Sequence, residues 1–260
     1  MDKKKYLDIA VKLAKIVGQL QIENIGKLNK SKFEMKSTNV DLVTEIDKKS
    51  EEIIINGIKK HFPDHSILAE ESGSERTNSD FRWVIDPLDG TINYSQGMAI
   101  FTISIALKYK KDTICGVIYA PYLDEMFTAI KDEGAYLNGE KIEVGDKDEL
   151  VKSVLATGFP YDKGSHKENN VDYFAHMMPK LRGIRRFGSA AYDLASVACG
   201  RFDGYWEMAL NEWDIAAGLL LVTEAGGEIG YFRRDRKYSI IAGNKKIVKL
   251  IRAELKKAKE

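Results

Sequence analysis

The sequence predicts a mixed α and β protein whose two halves are built differently. In the first half, amphipathic helical stretches precede a run of short apolar strands, which gives helices on an antiparallel or mixed sheet. In the second half, short apolar runs alternate with helical stretches, as in an α/β unit. Between them, residues 144–151 are rich in Asp, Glu and Lys, and this composition shift divides the chain into expected halves at 1–147 and 148–260.

Ile9, Leu13, Ile16, Val17, Leu20 and Ile25 recur at helical spacing and predict an amphipathic first helix over 6–25. Residues 29–39 are polar, with Lys30, Lys32 and Lys36 around Phe33 and Met35, and read as a loop or short hairpin. Thr44 is placed to cap a second helix carrying Ile46, Ile53, Ile54 and Ile58, with Asp47 in the capping-box position. Ile67-Leu68-Ala69 is a short strand ending in Glu70-Glu71 and the turn Ser72-Gly73-Ser74. The apolar run Trp83-Val84-Ile85 then stops in Asp86-Pro87-Leu88-Asp89-Gly90-Thr91, where Pro87 restricts itself and Asp86, and where Gly90 and Thr91 can open a helix. Strands over 101–107, 114–120 and 126–130 follow, and 134–139 reads as a hairpin turn. Beyond the boundary, strands are expected over 154–157, 185–187, 202–206 and 239–242. Helices are expected over 168–181, 190–199, 213–225 and 245–256, with Gly226-Gly227 stopping the third.

Composition narrows the class. With 260 residues, 44% of them hydrophobic, the chain can bury a sizeable core. Lys and Arg total 40 against 39 Asp and Glu, so a net charge of +1 indicates neither nucleic acid nor a membrane surface as partner. Cys115 and Cys199 lie in apolar runs and read as small buried hydrophobes, which suits a reducing cytoplasm. The start Met1-Asp2-Lys3-Lys4-Lys5 is basic but leads into an amphipathic pattern, so neither a signal peptide nor a membrane span is expected.

Glu70 with Glu71, Asp86 with Asp89, and Asp214 share one placement, each where an apolar element begins or ends. Asp-Pro and Asp-Gly are also ordinary turn signals, and Asp47 an ordinary capping acid, so each alone fits a solvated carboxylate. Hard oxygen donors without a supporting His or Cys cluster suit Mg²⁺, Mn²⁺ or Ca²⁺ better than zinc. His61, His65, His166 and His176 show no paired ligand spacing, and a Walker loop, a GxSxG elbow and a GxGxxG fingerprint are all absent.

Asp86-Pro87-Leu88-Asp89-Gly90-Thr91 with Glu70-Glu71 upstream resembles one signature of the inositol monophosphatase family. Trp213-Asp214-Ile215-Ala216-Ala217-Gly218 running into Thr223-Glu224-Ala225-Gly226-Gly227 resembles its second. The likeness extends through Asp41-Leu42-Val43-Thr44-Glu45-Ile46-Asp47, Gly188-Ser189-Ala190-Ala191 and Glu207, in the family's order over nearly the whole chain. It implies a layered αβαβα sandwich of the sugar-phosphatase type. It also implies Mg²⁺-dependent, Li⁺-sensitive hydrolysis of a phosphate monoester in a cytoplasmic homodimer, with about two to three ions per site.

On this resemblance Glu70, Asp86 and the Leu88 carbonyl would hold one Mg²⁺, and Asp86, Asp89 and Asp214 a second, with a weaker third leaning on Glu70 through waters. Thr91 and Glu70 would position and deprotonate the attacking water, with Asp47 orienting Thr91. The N–H groups of Gly90 and Thr91 would receive phosphate oxygens, while Asp89, Ser189, Ala190, Glu207 and Asp214 would read sugar or inositol hydroxyls. Lys36 matches a loop lysine of the family, Glu71 is a further candidate beside Glu70, and Arg185-Arg186 could meet a second phosphate. Arg185-Arg186, the segment from Ala190 to Ala195 and that from Cys199 to Gly204 look closest to the bacterial inositol-1-monophosphatases, which favours inositol 1-phosphate. Fructose 1,6-bisphosphate and a nucleotide 3'-phosphate are the alternative substrates. A regulatory protein-binding role alongside the enzyme is the reading from a different class.

Overall fold

In the computed structural model, which describes residues 2–27, 34–35 and 42–259, helix α1 (Lys3–Asn24) starts at an Asp2 cap that accepts from Lys5 N. Its buried face is Ala10, Leu13, Ala14, Val17, Gly18 and Gln21, whereas Ile16, expected on the apolar face, is 45% exposed. Ile16 lies two residues, about 200° around the helix, from Gly18 and so turns away from the sheet. A Cβ at Gly18 would stand 2.5 Å from a ring carbon of Tyr119, so α1 lies close on the sheet and small residues take the contact. Strands β1 (Glu34–Met35) and β2 (Leu42–Val43) pair as a short antiparallel ribbon, and Lys36 lies outside the described residues. Helix α2 (Glu45–His61) has the expected capping box, with Thr44 N donating to Asp47 Oδ2 and Asp47 N to Thr44 Oγ1.

The first sheet contains β3 (Ser66–Ala69), β4 (Gly73–Glu75), β5 (Phe81–Asp89), β6 (Thr102–Tyr109), β7 (Asp112–Ala120), β8 (Glu125–Ile130), β9 (Gly134–Leu137) and β10 (Glu140–Lys141), with helix α3 (Thr91–Ser95) between β5 and β6. Its order is β10-β9-β8-β7-β6-β5-β3-β4, and the parallel pair β3 and β5 makes it mixed. Strand β4 takes residues whose composition predicts only a turn, because Gly73 at φ +80° folds them back along β3 as an edge.

The second half supplies β11 (Val154–Thr157), α4 (Val171–Met177), β12 (Gly183–Arg185), α5 (Ala190–Ala198), β13 (Gly204–Leu210), α6 (Glu212–Glu224), β14 (Glu228–Arg233), β15 (Tyr238–Gly243) and α7 (Lys245–Lys257). The sheet order is β12-β11-β13-β15-β14, parallel on the β12 side and antiparallel on the β14 side. Two expectations are corrected here, and one strand is added that was not expected. The helix expected over 168–181 shortens to α4, since the Asn170 amide is tied to Thr157 Oγ1 and Gly158 O and Pro179 turns the chain into a 3₁₀ turn. The strand expected over 185–187 ends at Arg185, ahead of Gly188 at φ +83°. Strand β14 has no sequence signal, being a partly exposed edge interrupted by Gly230.

Helices α1 and α2 cover one face of the first sheet, α5 and α6 fill the space between the sheets, and α4 and α7 cover the outer face of the second. The layered αβαβα sandwich is therefore present. Helix α6 is apolar nearly all round because both sheets press on it: Ile215, Ala217, Leu221 and Val222 are all buried. Trp83, Trp206, Phe101 and Phe127 are fully buried, and side chains of that size stabilise by about 2–3 kcal/mol each. Cys115 and Cys199 are both free, with burial pushing the Cys115 thiol up to about 12. Among the described residues no helix is long and apolar enough to cross a membrane.

Candidate active site

Strand β5 does not stop at Asp86 as its turn signals suggest. It continues to Asp89 through a bulge, with Asp86 opposite Ser104 and Asp89 opposite Thr102, so three steps on β5 face two on β6. Gly90 follows at φ +95°, where a Cβ would come within 3.1 Å of the Ile100 carbonyl oxygen, and the chain turns into α3. On the far side, β13 has its own irregularity between Glu207 and Leu210, with Ala209 at φ +64°, before α6 begins. Asn211 N donates to Asp214 Oδ2 at 2.7 Å in the capping box that starts α6. Arg82 Nη2 at 2.6 Å and Lys108 Nζ at 2.5 Å both donate to Glu212 Oε1 and tie that helix start to the first sheet.

These turns meet. Glu70, Asp86, Leu88, Asp89, Gly90, Thr91 and Asp214 line one cavity of about 80 Å³, together with Pro160, Tyr161, Ala209, Leu210 and Asn211. The last five were missed in the sequence, where nothing in a loop's composition marks them, although Asn211 as the cap before Asp214 could have been found from the N-cap rule. Thr91 Oγ1 lies 3.0 Å from Asp47 Oδ1 and 3.0 Å from the Leu88 carbonyl oxygen, so Asp47 caps α2 with one oxygen and holds the Thr91 hydroxyl with the other. Asp89 Oδ2 accepts from Ser189 Oγ and Ala191 N, each at 2.7 Å, which joins β5 to the start of α5.

The acids press on one another. Burial raises the Asp86 carboxyl well above its ordinary range, with the charges of Glu70, Asp89 and Asp214 adding to it. Asp214 is raised likewise, by burial and then by Glu70. Asp89 is pushed up to about 6 by burial, against the opposing hydrogen bonds from Ser189 and Ala191. Burial also pushes Asp47 up to about 6, with the Thr44 hydrogen bond opposing it and the Glu70 charge adding to it. No lysine or arginine among the described residues lines the cavity. Among the described residues no group of three or more His, Cys, Asp or Glu side chains stands in ready-made metal-ligating geometry. The donor chemistry nevertheless fits a hard divalent cation: carboxylates and a backbone carbonyl, all hard oxygen donors, share one cavity.

The remaining candidates divide. Ser189 and Ala190 stand at the Asp89 junction. Glu207 is buried, accepts from the Tyr205 hydroxyl and packs on Gly158. Glu71 lines a separate depression with Lys48, Glu51 and Ser72 and is not part of the carboxylate cavity. Arg185 Nη1 donates to its neighbour's carbonyl, Ile184 O, and is exposed. Arg186, also exposed, packs on Gly188, and its charge acts on both Glu207 and Asp193.

Asp193 was missed, since an acid in the first turn of α5 reads as a solvated helix residue, yet it is buried and its Oδ1 has no hydrogen-bond partner. Burial, then Glu207 and Asp89, raises Asp193 well above its ordinary value, Arg186 opposing. Burial pushes Glu207 up to about 7, with Tyr205 and Arg186 opposing. Both acids bind protons more tightly folded than unfolded, so their contribution to stability is complete below about pH 4 and falls as pH rises above it, the Glu207 part being lost as pH passes through about 7. Asp193→Asn, neutral at every pH, is expected to flatten the fall in melting temperature as pH rises above the ordinary carboxyl value of about 4. An unchanged slope in that variant would show that Asp193 is solvated or already ionised in the fold.

The chain matches the model of the inositol monophosphatase family over residues 2–260. It is 42% identical over 250 residues to the Nus factor SuhB of Pasteurella multocida, covering 94% of this chain and 93% of that one. The inositol monophosphatase of Anabaena superposes with a TM-score of 0.89 at 38% identity, covering 99% of this chain and 97% of its own. That of Thermotoga maritima gives 0.88 at 35% identity, with 98% of each chain covered. With its two signature loops meeting in one carboxylate cavity inside the same layered fold, this chain belongs to the inositol monophosphatase family.

Proposed function

We propose that the protein hydrolyses a phosphate monoester, inositol 1-phosphate, with Mg²⁺, as a cytoplasmic homodimer. A cavity lined by Glu70, Asp86, Asp89 and Asp214, beside a Thr91 hydroxyl held by Asp47, carries this reading. Four carboxylates repel a phosphate dianion unless cations lie between them. Glu70, Asp86 and the Leu88 carbonyl would hold one ion, and Asp86, Asp89 and Asp214 a second, with a weaker third near Glu70. When bound, Mg²⁺ supplies charge neutralisation for the phosphate and a lowered pKa for a water.

The chain's own groups do the positioning. The Thr91 hydroxyl oxygen lies 3.0 Å from Asp47 Oδ1 and 3.0 Å from the Leu88 carbonyl oxygen, so its one hydrogen is drawn to these acceptors and its lone pairs are left to accept from a water. Glu70, in the same cavity, receives that water's proton. The N–H groups of Gly90 and Thr91 meet the phosphate oxygens. Because α3 is only 5 residues long, this contact rests on N–H geometry more than on a helix dipole. Asp89, Ser189, Ala190, Glu207 and Asp214 read the hydroxyls. The Arg186 charge already acts on the buried carboxyls of Glu207 and Asp193, which favours a monophosphate over fructose 1,6-bisphosphate.

The test is phosphate release from inositol 1-phosphate and fructose 1,6-bisphosphate, side by side, in Mg²⁺ and in EDTA. Metal-dependent release confined to inositol 1-phosphate is expected. Equal release from both would make the protein a dual-specificity phosphatase, and release from neither would shift the substrate to a nucleotide 3'-phosphate. Identity to a protein named a Nus factor supports a second reading, a regulatory role with a protein partner. That role would persist in a chain whose turnover has been removed.

A further inference from the structure

The β5 bulge leaves Pro87 and Leu88 without ladder partners on β6, at the point where the chain carries two carboxylates and a carbonyl into the cavity. Pro87 has no N–H, so its carbonyl and the N–H of Leu88 are the two polar groups of the peptide that joins them. Both are held. Leu88 N donates to Asp86 Oδ1 at 3.1 Å, and on the other side Gln21 Nε2 donates to the Pro87 carbonyl at 2.8 Å. Because a carbonyl can only accept, the Gln21 atom facing it must be the amide nitrogen.

Gln21 reaches this peptide from α1, 66 residues earlier in the chain, and is fully buried. The same Nε2 lies 3.3 Å from Ser50 Oγ on α2, and the backbone carbonyl of Gln21 accepts from the Tyr94 hydroxyl on α3 at 2.9 Å. Three helices thus converge on the back of the loop. Gln21 Oε1 is buried with no hydrogen-bond partner, an unfavourable arrangement that an apolar residue in this register would avoid. The amide is therefore poorly accounted for by packing and well accounted for by its donor.

We propose that Gln21 is a positioning residue for the metal loop: by gripping the Pro87 carbonyl it orients the Pro87–Leu88 peptide, and through the Leu88 N–H the carboxylate of Asp86. In effect Gln21 replaces the strand partner that the bulge removes. A buried partner of this kind, touching neither ion nor substrate, acts through the aim of a ligand, and losing such partners typically lowers metal affinity or activity by about 10- to 100-fold. The inference rests on the metal reading given above.

Gln21→Met keeps the volume and removes the donor, while Gln21→Asn keeps an amide that is too short to reach Pro87. Mg²⁺ binding would be followed by titration calorimetry without substrate, together with kcat, KM and thermal melting. Both variants are expected to unfold cooperatively, to bind Mg²⁺ at least about tenfold more weakly, and to lose kcat at fixed Mg²⁺ with little change in KM. Unchanged Mg²⁺ affinity in whichever variant folds, even with a lowered melting temperature, would overturn the inference and leave Gln21 a structural residue. Absence of Mg²⁺ binding by the unsubstituted chain would instead remove the metal reading, and the inference with it.

Discussion

Asp214→Asn is expected to lower turnover about a thousandfold with the fold intact, because a metal-held charge is worth several kcal/mol and each 1.4 kcal/mol is about a factor of ten. The asparagine oxygen can still accept from Asn211 N, which Asp214 now meets at 2.7 Å, so the α6 cap survives. What disappears is one of the carboxylates that repel one another in the cavity, so the melting temperature in EDTA should hold or rise. Steady-state kinetics in Mg²⁺ and a thermal melt in EDTA separate the two effects. Activity within a few-fold of the unsubstituted chain would reject Asp214 as a ligand, and loss of cooperative melting would assign it to the cap.

Thr91→Ala is expected to lower kcat by about a hundredfold or more, the scale of a lost general-base contribution, with KM little changed. The hydroxyl sits 3.0 Å from Asp47 Oδ1, and removing it takes a hydrogen bond from that buried carboxyl, a stability cost of about 1–3 kcal/mol. Thr91→Ser should recover most of both losses. A change confined to KM would make Thr91 a binding residue and leave the water to other groups.

The acids of this site were legible in the sequence because each lies where an apolar element begins or ends, and their common placement outweighs the turn reading that each permits alone. The αβαβα order was legible through the family likeness, whereas periodicity alone reached only helices on a sheet followed by an α/β half. Contacts between segments far apart in the chain were less accessible. The β5 bulge exists only because Asp86 and Asp89 pair with Ser104 and Thr102, and no local pattern encodes that. Asp193 and Gln21 read as polar residues on helices, and only the packed layers bury them. For Gln21 there was a trace: it continues the four-residue spacing of Leu13 and Val17, the stripe that α1 turns inward. Ile16 failed in the opposite direction, since it lies about 200° around the helix from Gly18, whose side meets the sheet, and is 45% exposed.

The Asp89 carboxylate is fixed by Ser189 and Ala191, 100 and 102 residues further along, and the cavity is not closed until Asp214 arrives with α6. During synthesis Glu70, Asp86 and Asp89 therefore leave the ribosome long before the fourth acid exists. A nascent chain that ends short of α6 can pair its first sheet but has neither the second wall of the cavity nor the helix that covers the sheet's inner face. Catalytic competence thus arrives with the closing of the central helical layer, and an active molecule is one whose two sheets have already docked.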